Sequence, residues 1–224
     1  MKQMKIKNFM KKSATVSMAV LMLGALSLSG CGEKKASETA SEESGGSKEA
    51  SQTQEKNLLS GKHHAEIIIK DHGTIKVELD ADSAPITVTN FVNLAKDGFY
   101  DGLTFHRIME GFMMQGGDPA GNGTGGSDET IKGEFASNGV ENPISHKRGT
   151  ISMARAQDPD SGSSQFFIVH EDSTFLDGDY AAFGTVTEGM DIVDDICENA
   201  VVVDQNGTVK DGTQPVIESI NVTD

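Results

Sequence analysis

Apolar and polar residues begin to alternate at His64, and from there the chain reads as short strands interrupted by two helical stretches. His64–Lys70 (HAEIIIK) and Thr74–Asp80 (TIKVELD) are strand-like, joined at Asp71-His72-Gly73, and the second places Ile75, Val77 and Leu79 on one face. The period then changes. Val88, Phe91, Val92 and Ala95 fall on one side of a helix of about three turns, entered through Pro85, with Ser83 positioned to cap it and Gly98 to stop it. Short apolar or alternating runs return at Thr104–Ile108, Phe112–Gln115, Thr150–Ala154, Phe166–Val169 and Ala182–Val186, separated by Gly-rich connections. Gly189–Glu198 offers a second short helix, with Met190, Val193, Ile196 and Cys197 on one face, and Pro215–Val222 alternates again. The expectation is a mostly β domain of about eight strands and two helices, a barrel or a sandwich.

Upstream of His63 the pattern is different in kind. Met1–Lys12 carries Lys2, Lys5, Lys7, Lys11 and Lys12 without an acid, and Ala14–Leu28 is a nearly unbroken run of apolar and small residues, the layout of a secretion signal. The run is short for a bilayer span of about 20 residues. It closes on Leu28-Ser29-Gly30-Cys31, which resembles a bacterial lipobox. That resemblance implies a lipoprotein signal peptide over residues 1–30, cleavage before Cys31, and a diacylglycerol thioether on Cys31 in place of a transmembrane helix. Each buried CH₂ contributes roughly 0.8 kcal/mol, so two or more acyl chains hold a protein stably at a membrane. Residues 31–61 are then the lipidated cysteine and a tether. The tether is rich in Ser, Glu, Lys, Ala and Gly, almost free of large apolar residues, and expected to be disordered, with an end-to-end distance on the order of 30 Å. Residues 62–224 form one folded domain, with no internal repeat. The expected location is outside the cytoplasm, held by lipid to the bacterial cell membrane.

Charge narrows the partners. The 224 residues carry 19 basic and 34 acidic side chains, a net charge of −15, and removing residues 1–30 takes away five lysines and no acid. Such acidity excludes nucleic acid as a partner and keeps the domain soluble. A monomer is expected. With Cys31 lipidated, Cys197 has no disulfide partner and is expected to face the core.

Candidate chemistry gathers in two blocks. Phe105–Asp118 (FHRIMEGFMMQGGD) sets a permanent cation, Arg107, among apolar residues with no carboxylate placed locally to neutralise it. Ser161–Val169 (SGSSQFFIV) leads a polar Gln165 into two phenylalanines. His106 adjoins Arg107 but points to the opposite face of a strand, which makes it structural. Gly121–Gly126 formally fits G-x-G-x-x-G without the strand and helix that a nucleotide site needs. His63 and His64 lack spaced partners for a metal. Ser161, Ser163 and Ser164 lack a nucleophile elbow. No cofactor is expected.

Taken in order, FHRI, GFMMQGGD, GNGTGG, GTISMARA, SGSSQFFI, FLDG and FGTVTEGMDIV resemble the cyclophilins, peptidyl-prolyl cis-trans isomerases, over essentially His63–Thr223. The resemblance implies a closed eight-stranded antiparallel barrel with two capping α-helices, acting on proline-containing unfolded or flexible polypeptides and assisting the folding of exported or surface proteins. Rotation about a peptide bond faces a barrier of about 18–20 kcal/mol although no bond is made or broken. A turnover on the order of 10³ per second requires removing roughly 6–7 kcal/mol of it. As the amide twists, the proline nitrogen becomes basic, and a donor aimed at it is stronger in the transition state than in the ground state. By resemblance Arg107 is that donor. Phe112, Met113, Phe167 and Leu176 form the proline slot, and Gln115 orients Arg107 and the substrate carbonyl. Gly123, Ala154, Arg155 and Ala156 line the groove for residues preceding proline, where an extended peptide can pair with main chain. Two positions depart from many eukaryotic members: Phe175 stands for a tryptophan, losing an indole donor, and Tyr180 for a histidine. Arg155 replaces a common asparagine, adding a cation at the groove rim. The competing reading is a non-catalytic module or chaperone that binds proline-containing segments; survival of Arg107, Phe112, Gln115 and Phe167 favours the enzyme.

Overall fold

A computed structural model describes residues 57–224. The expectations for the signal peptide, for Cys31 and for most of the tether lie outside the described residues. At the tether's described end, Leu59 packs against the core and donates its N–H to Thr89 Oγ1 at 2.9 Å.

The strands are β1 (Lys62–Ile69), β2 (Gly73–Asp80), β3 (Thr104–Met109), β4 (Met113–Asp118), β5 (Thr150–Met153), β6 (Phe166–Val169), β7 (Ala182–Glu188) and β8 (Ile217–Val222). The helices are α1 (Pro85–Lys96) and α2 (Met190–Asn199). All strand pairs are antiparallel, in the order β3-β4-β6-β5-β7-β2-β1-β8. The closed barrel expected from resemblance is corrected: the sheet is a curled half-barrel, open between β3 and β8. Those two ends meet through an isolated bridge, Thr104↔Val216, and a few backbone hydrogen bonds such as Phe105 N–H to Pro215 C=O at 2.9 Å. Two features stop a ladder there. Pro215 has no N–H to give, and β3 shifts register at Phe105 and again before Arg107, which bends the strand.

The first helix also differs from expectation in how it begins. Ala84, not Ser83, is the N-cap, and no side chain from the adjoining sequence caps it. Ser83 Oγ instead donates to Asp80 Oδ2 at 2.9 Å. The exposed N–H groups are taken by Glu134, whose two carboxylate oxygens accept from Ile86 N (2.9 Å) and Thr87 N (2.8 Å), with the Thr87 hydroxyl donating as well. A buried carboxylate at a helix N-terminus meets both the orphan donors and the positive end of the dipole.

Alternation along β4 and β6 divides the molecule into two apolar clusters. Met114, Phe166 and Ile168 point into the main core with Phe91, Tyr100, Phe105 and Phe183. Rings there meet at 5.3–5.9 Å, several edge to face, as at Phe91–Phe166. Cys197 lies in this core, as expected. The opposite faces of β4 and β6 carry Met113, Phe167 and Val169, which form a second cluster with Leu176. Phe112, Ala154 and Tyr180 pack against it.

Candidate active site

Strand register assembles the site. Arg107 on β3 pairs with Gln115 on β4, Gln115 with Phe167 on β6, and Phe167 with Ser152 on β5, so four side chains form one row across four strands. His106 sits at the register shift before Arg107, where simple alternation along β3 is broken, and is buried with no hydrogen-bond partner on either ring nitrogen among the described residues. Burial holds the His106 imidazole below its usual value; the Asp118 charge pulls the other way and Arg107 adds to the lowering.

Arg107 is half-buried and forms no ion pair within 4.0 Å among the described residues. Its Nε donates to the Asn206 carbonyl at 2.8 Å and Nη1 to Gln115 Oε1 at 3.2 Å, while Nη2 lies 3.2 Å from Met109 Sδ. Burial pulls the guanidinium down from its ordinary value, with Tyr180 and Asp204 acting the other way, and a guanidinium starts high enough to stay charged. The Gln115 amide donates to Gln165 Oε1 at 2.9 Å, and the Gln165 amide to Gly125 C=O at 2.7 Å. Gln165, singled out in the sequence but given no role there, therefore connects Arg107 through Gln115 to the glycine-rich loop.

A pocket of about 130 Å³ opens in front of Arg107, lined by Phe112, Met113, Gln115, Ala154, Arg155, Phe167, Leu176 and Tyr180. That is well below the roughly 300 Å³ of a drug-sized site and suits a single small ring. A second pocket of about 340 Å³ shares Gln115, Ala154 and Arg155 with it and adds Gly123 and Ala156. The residues expected from sequence thus come together in two adjoining pockets, with Phe175 the exception. Its ring is 72% exposed, outside the lining of both, and leans on Phe112 at 5.6 Å between centroids.

Arg155 is tied down rather than free at the rim. Its guanidinium lies 4.7 Å from the Tyr180 ring centroid and 5.2 Å from that of Phe135, and donates to the carbonyls of Asp179 and Ala156 at 2.9 Å each. The glycine-rich loop is organised by Asp118, whose carboxylate accepts from Ala120 N (2.8 Å), Asn122 N (3.0 Å) and Gly123 N (2.6 Å). Burial works against that charge, but the backbone donors outweigh it and hold the carboxyl below its usual range.

Sequence reasoning missed one further constellation. His146 Nδ1 lies 2.9 Å from Asp177 Oδ1 and Nε2 lies 3.0 Å from Ser152 Oγ, an order of Ser, His and Asp like that of a hydrolase. Ser152 and His146 are fully buried, so no substrate carbonyl reaches the hydroxyl. Burial lowers the His146 imidazole more than Asp177 raises it, which keeps the ring neutral and able to bridge the two groups. The ring stacks on Phe167 at 6.0 Å, so the trio supports the floor of the 130 Å³ pocket.

A family model described as "Cyclophilin type peptidyl-prolyl cis-trans isomerase/CLD" matches residues 64–222. The peptidyl-prolyl cis-trans isomerase B of Bacillus subtilis is 47% identical over 135 residues, covering 60% of this chain and 91% of that protein. A peptidyl-prolyl cis-trans isomerase of Helicobacter pylori is 48% identical over 132 residues, covering 58% of this chain and 78% of its own. Among solved structures, a cyclophilin-type isomerase of Cryptosporidium parvum, crystallised in the presence of the dipeptide Ala-Pro, superposes with a TM-score of 0.63 at 30% identity, covering 72% of this chain and 99% of that one. The chain belongs to the cyclophilin-type peptidyl-prolyl cis-trans isomerase family. It is accordingly an enzyme that interconverts the cis and trans forms of X-Pro peptide bonds.

Proposed function

We propose that this isomerase works outside the cytoplasm, anchored by lipid at Cys31, on X-Pro bonds of exported or surface proteins as they fold. Support for the location comes from the sequence, in the lysine-rich start, the short apolar run and the Leu28–Cys31 ending. A tether over residues 31–61 would let a monomeric domain reach clients at a distance from the lipid surface.

In the reaction, the proline ring enters the 130 Å³ pocket against Phe112, Met113, Phe167 and Leu176. The residues before it lie along Gly123, Ala154, Arg155 and Ala156. Arg107 donates to the proline nitrogen as amide resonance is lost, while Gln115 holds the guanidinium and receives the substrate carbonyl. Phe175 and Tyr180 contribute at the rim. The observation that carries these roles is the state of Arg107: a half-buried cation braced through Nε and Nη1 by neutral oxygens, with no carboxylate within 4.0 Å among the described residues, facing an apolar slot. A donor fixed in advance needs no reorganisation when the nitrogen turns basic.

Two measurements test the reading. The full chain should accelerate cis-trans relaxation of an unstructured X-Pro peptide, and an unchanged relaxation rate refutes catalysis. Expressed in a bacterium, the chain should fractionate with membranes and the Cys31→Ala variant should not; a Cys31→Ala protein still membrane-bound after signal cleavage refutes the anchor.

A further inference from the structure

A further cavity adjoins the pocket beside Gly123. This third cavity, of about 520 Å³, lies between α1, the chain entering β1 and the loop at Ser127–Ile131, and is larger than either pocket of the candidate site. Ser127 lines both this cavity and the 340 Å³ pocket. Asn90 stands at the junction as well: it lines the cavity and donates its side-chain amide at 2.5 Å to the carbonyl of Ser163, a residue of the neighbouring pocket. The cavities therefore adjoin at Ser127, one on the side of Gln115 and the other on the side of α1.

The chemistry of the third cavity differs from the first two. Ile86, Leu94, Phe99 and Ile131 give it apolar walls. Asp97, at the end of α1, and Asp128 are exposed at its edge, and among the described residues no lysine or arginine lines it. Among the described residues neither Asp97 nor Asp128 forms an ion pair. Apolar walls with anionic groups at the edge match a long aliphatic stem ending in a cation, because lysine and arginine bury their methylenes while keeping the charged head in water.

We propose that this cavity is an additional subsite of the isomerase groove, taking a lysine or arginine side chain that lies upstream of the scissionless X-Pro bond in an extended client. The inference rests on the proposed seating of the client, in which residues before the proline run along Gly123 and Ala154–Ala156; the cavity beyond Ser127 receives residues further upstream. Contacts made equally in ground and transition states lower KM and leave kcat unchanged, so the subsite selects clients without altering the twist of the amide.

The test uses the full chain and peptides sharing one X-Pro segment, extended upstream by alanines carrying a single lysine, norleucine or glutamate moved one position at a time. At one position lysine should lower KM relative to norleucine, by up to about fivefold for each carboxylate engaged, with kcat unchanged and the advantage falling as salt is added. The double variant Asp97→Asn/Asp128→Asn should lose that advantage, whereas Glu218→Gln, on the exposed side of β8, should keep it. Unchanged turnover of the unextended peptide by the double variant shows that it is folded. A lysine advantage equal at every position, or one that survives in the double variant, assigns the effect to the acidity of the whole chain and overturns the subsite. Failure to isomerise even the unextended peptide refutes the proposed function itself, a separate result.

Discussion

Asp118→Asn should unfold the glycine-rich side of the groove more readily while leaving Arg107 in place. In the structure one carboxylate serves three backbone donors: Oδ1 accepts from Ala120, and Oδ2 from Asn122 and Gly123. An asparagine keeps one acceptor oxygen and turns an NH₂ donor toward the N–H groups that the other oxygen had satisfied. Hydrogen bonds to a charged group contribute about 1.5–3 kcal/mol each, and water recovers part of that at the exposed Asn122 and Gly123, so a loss of about 2–4 kcal/mol is expected at pH 7. For a domain of this size that corresponds to a fall in Tm of about 5–15 °C. The sign with pH follows from the lowered carboxyl: its contribution is fully present above the unfolded value of about 3.9 and is lost as pH falls through the folded value. The gap between native and variant proteins should therefore close below about pH 4. Urea unfolding at several pH values measures it. A variant within about 0.5 kcal/mol of the native protein at pH 7, or a gap that stays constant into acid, refutes the reasoning.

Gly207 has φ +82°, and a Cβ there would lie 2.4 Å from the Ile108 carbonyl oxygen and 2.5 Å from Met109 Cγ. Gly207→Ala should destabilise by about 2–4 kcal/mol in urea unfolding and lower kcat/KM, because the adjacent Asn206 carbonyl holds Arg107 Nε. Cys197 has its thiol pushed up to about 12, chiefly by burial, so in a Cys31→Ser variant it should resist a thiol reagent at pH 8 until denaturant is added; rapid labelling of the folded protein would contradict this.

How much of this was legible before the structure depends on how far apart the cooperating residues lie. Arg107, Phe112, Met113 and Gln115 sit within nine positions of one another, and the resemblance of FHRI and GFMMQGGD was enough to place them together, although the register shift on β3 sends Phe105 and Arg107 to opposite faces against simple alternation. Glu134 was not readable as the cap of α1, because it reaches Thr87 from 47 residues away and no local pattern points there. The Ser152–His146–Asp177 trio has the same character, with Asp177 arriving from a different turn of the chain. Ser83 was read as a cap on local grounds, but the helix begins one residue later with Ala84 at the N-cap, and the Ser83 hydroxyl donates to Asp80 instead. The barrel's opening was hidden for a related reason: register shifts in β3 are set by which backbone groups find partners across the sheet, not by side-chain alternation.

Central to the account is that Arg107 acts on the twisting amide rather than on binding. The direct measurement is isomerisation of one X-Pro peptide by the native chain, Arg107→Lys and Arg107→Ala, with peptide affinity measured in parallel. The account predicts that Arg107→Ala lowers kcat by about 10²-fold or more, with affinity changed little, and that lysine, a point charge without the braced fork, restores only part of the loss. An Arg107→Ala protein that isomerises as fast as the native chain, or whose entire deficit is in affinity, would contradict it.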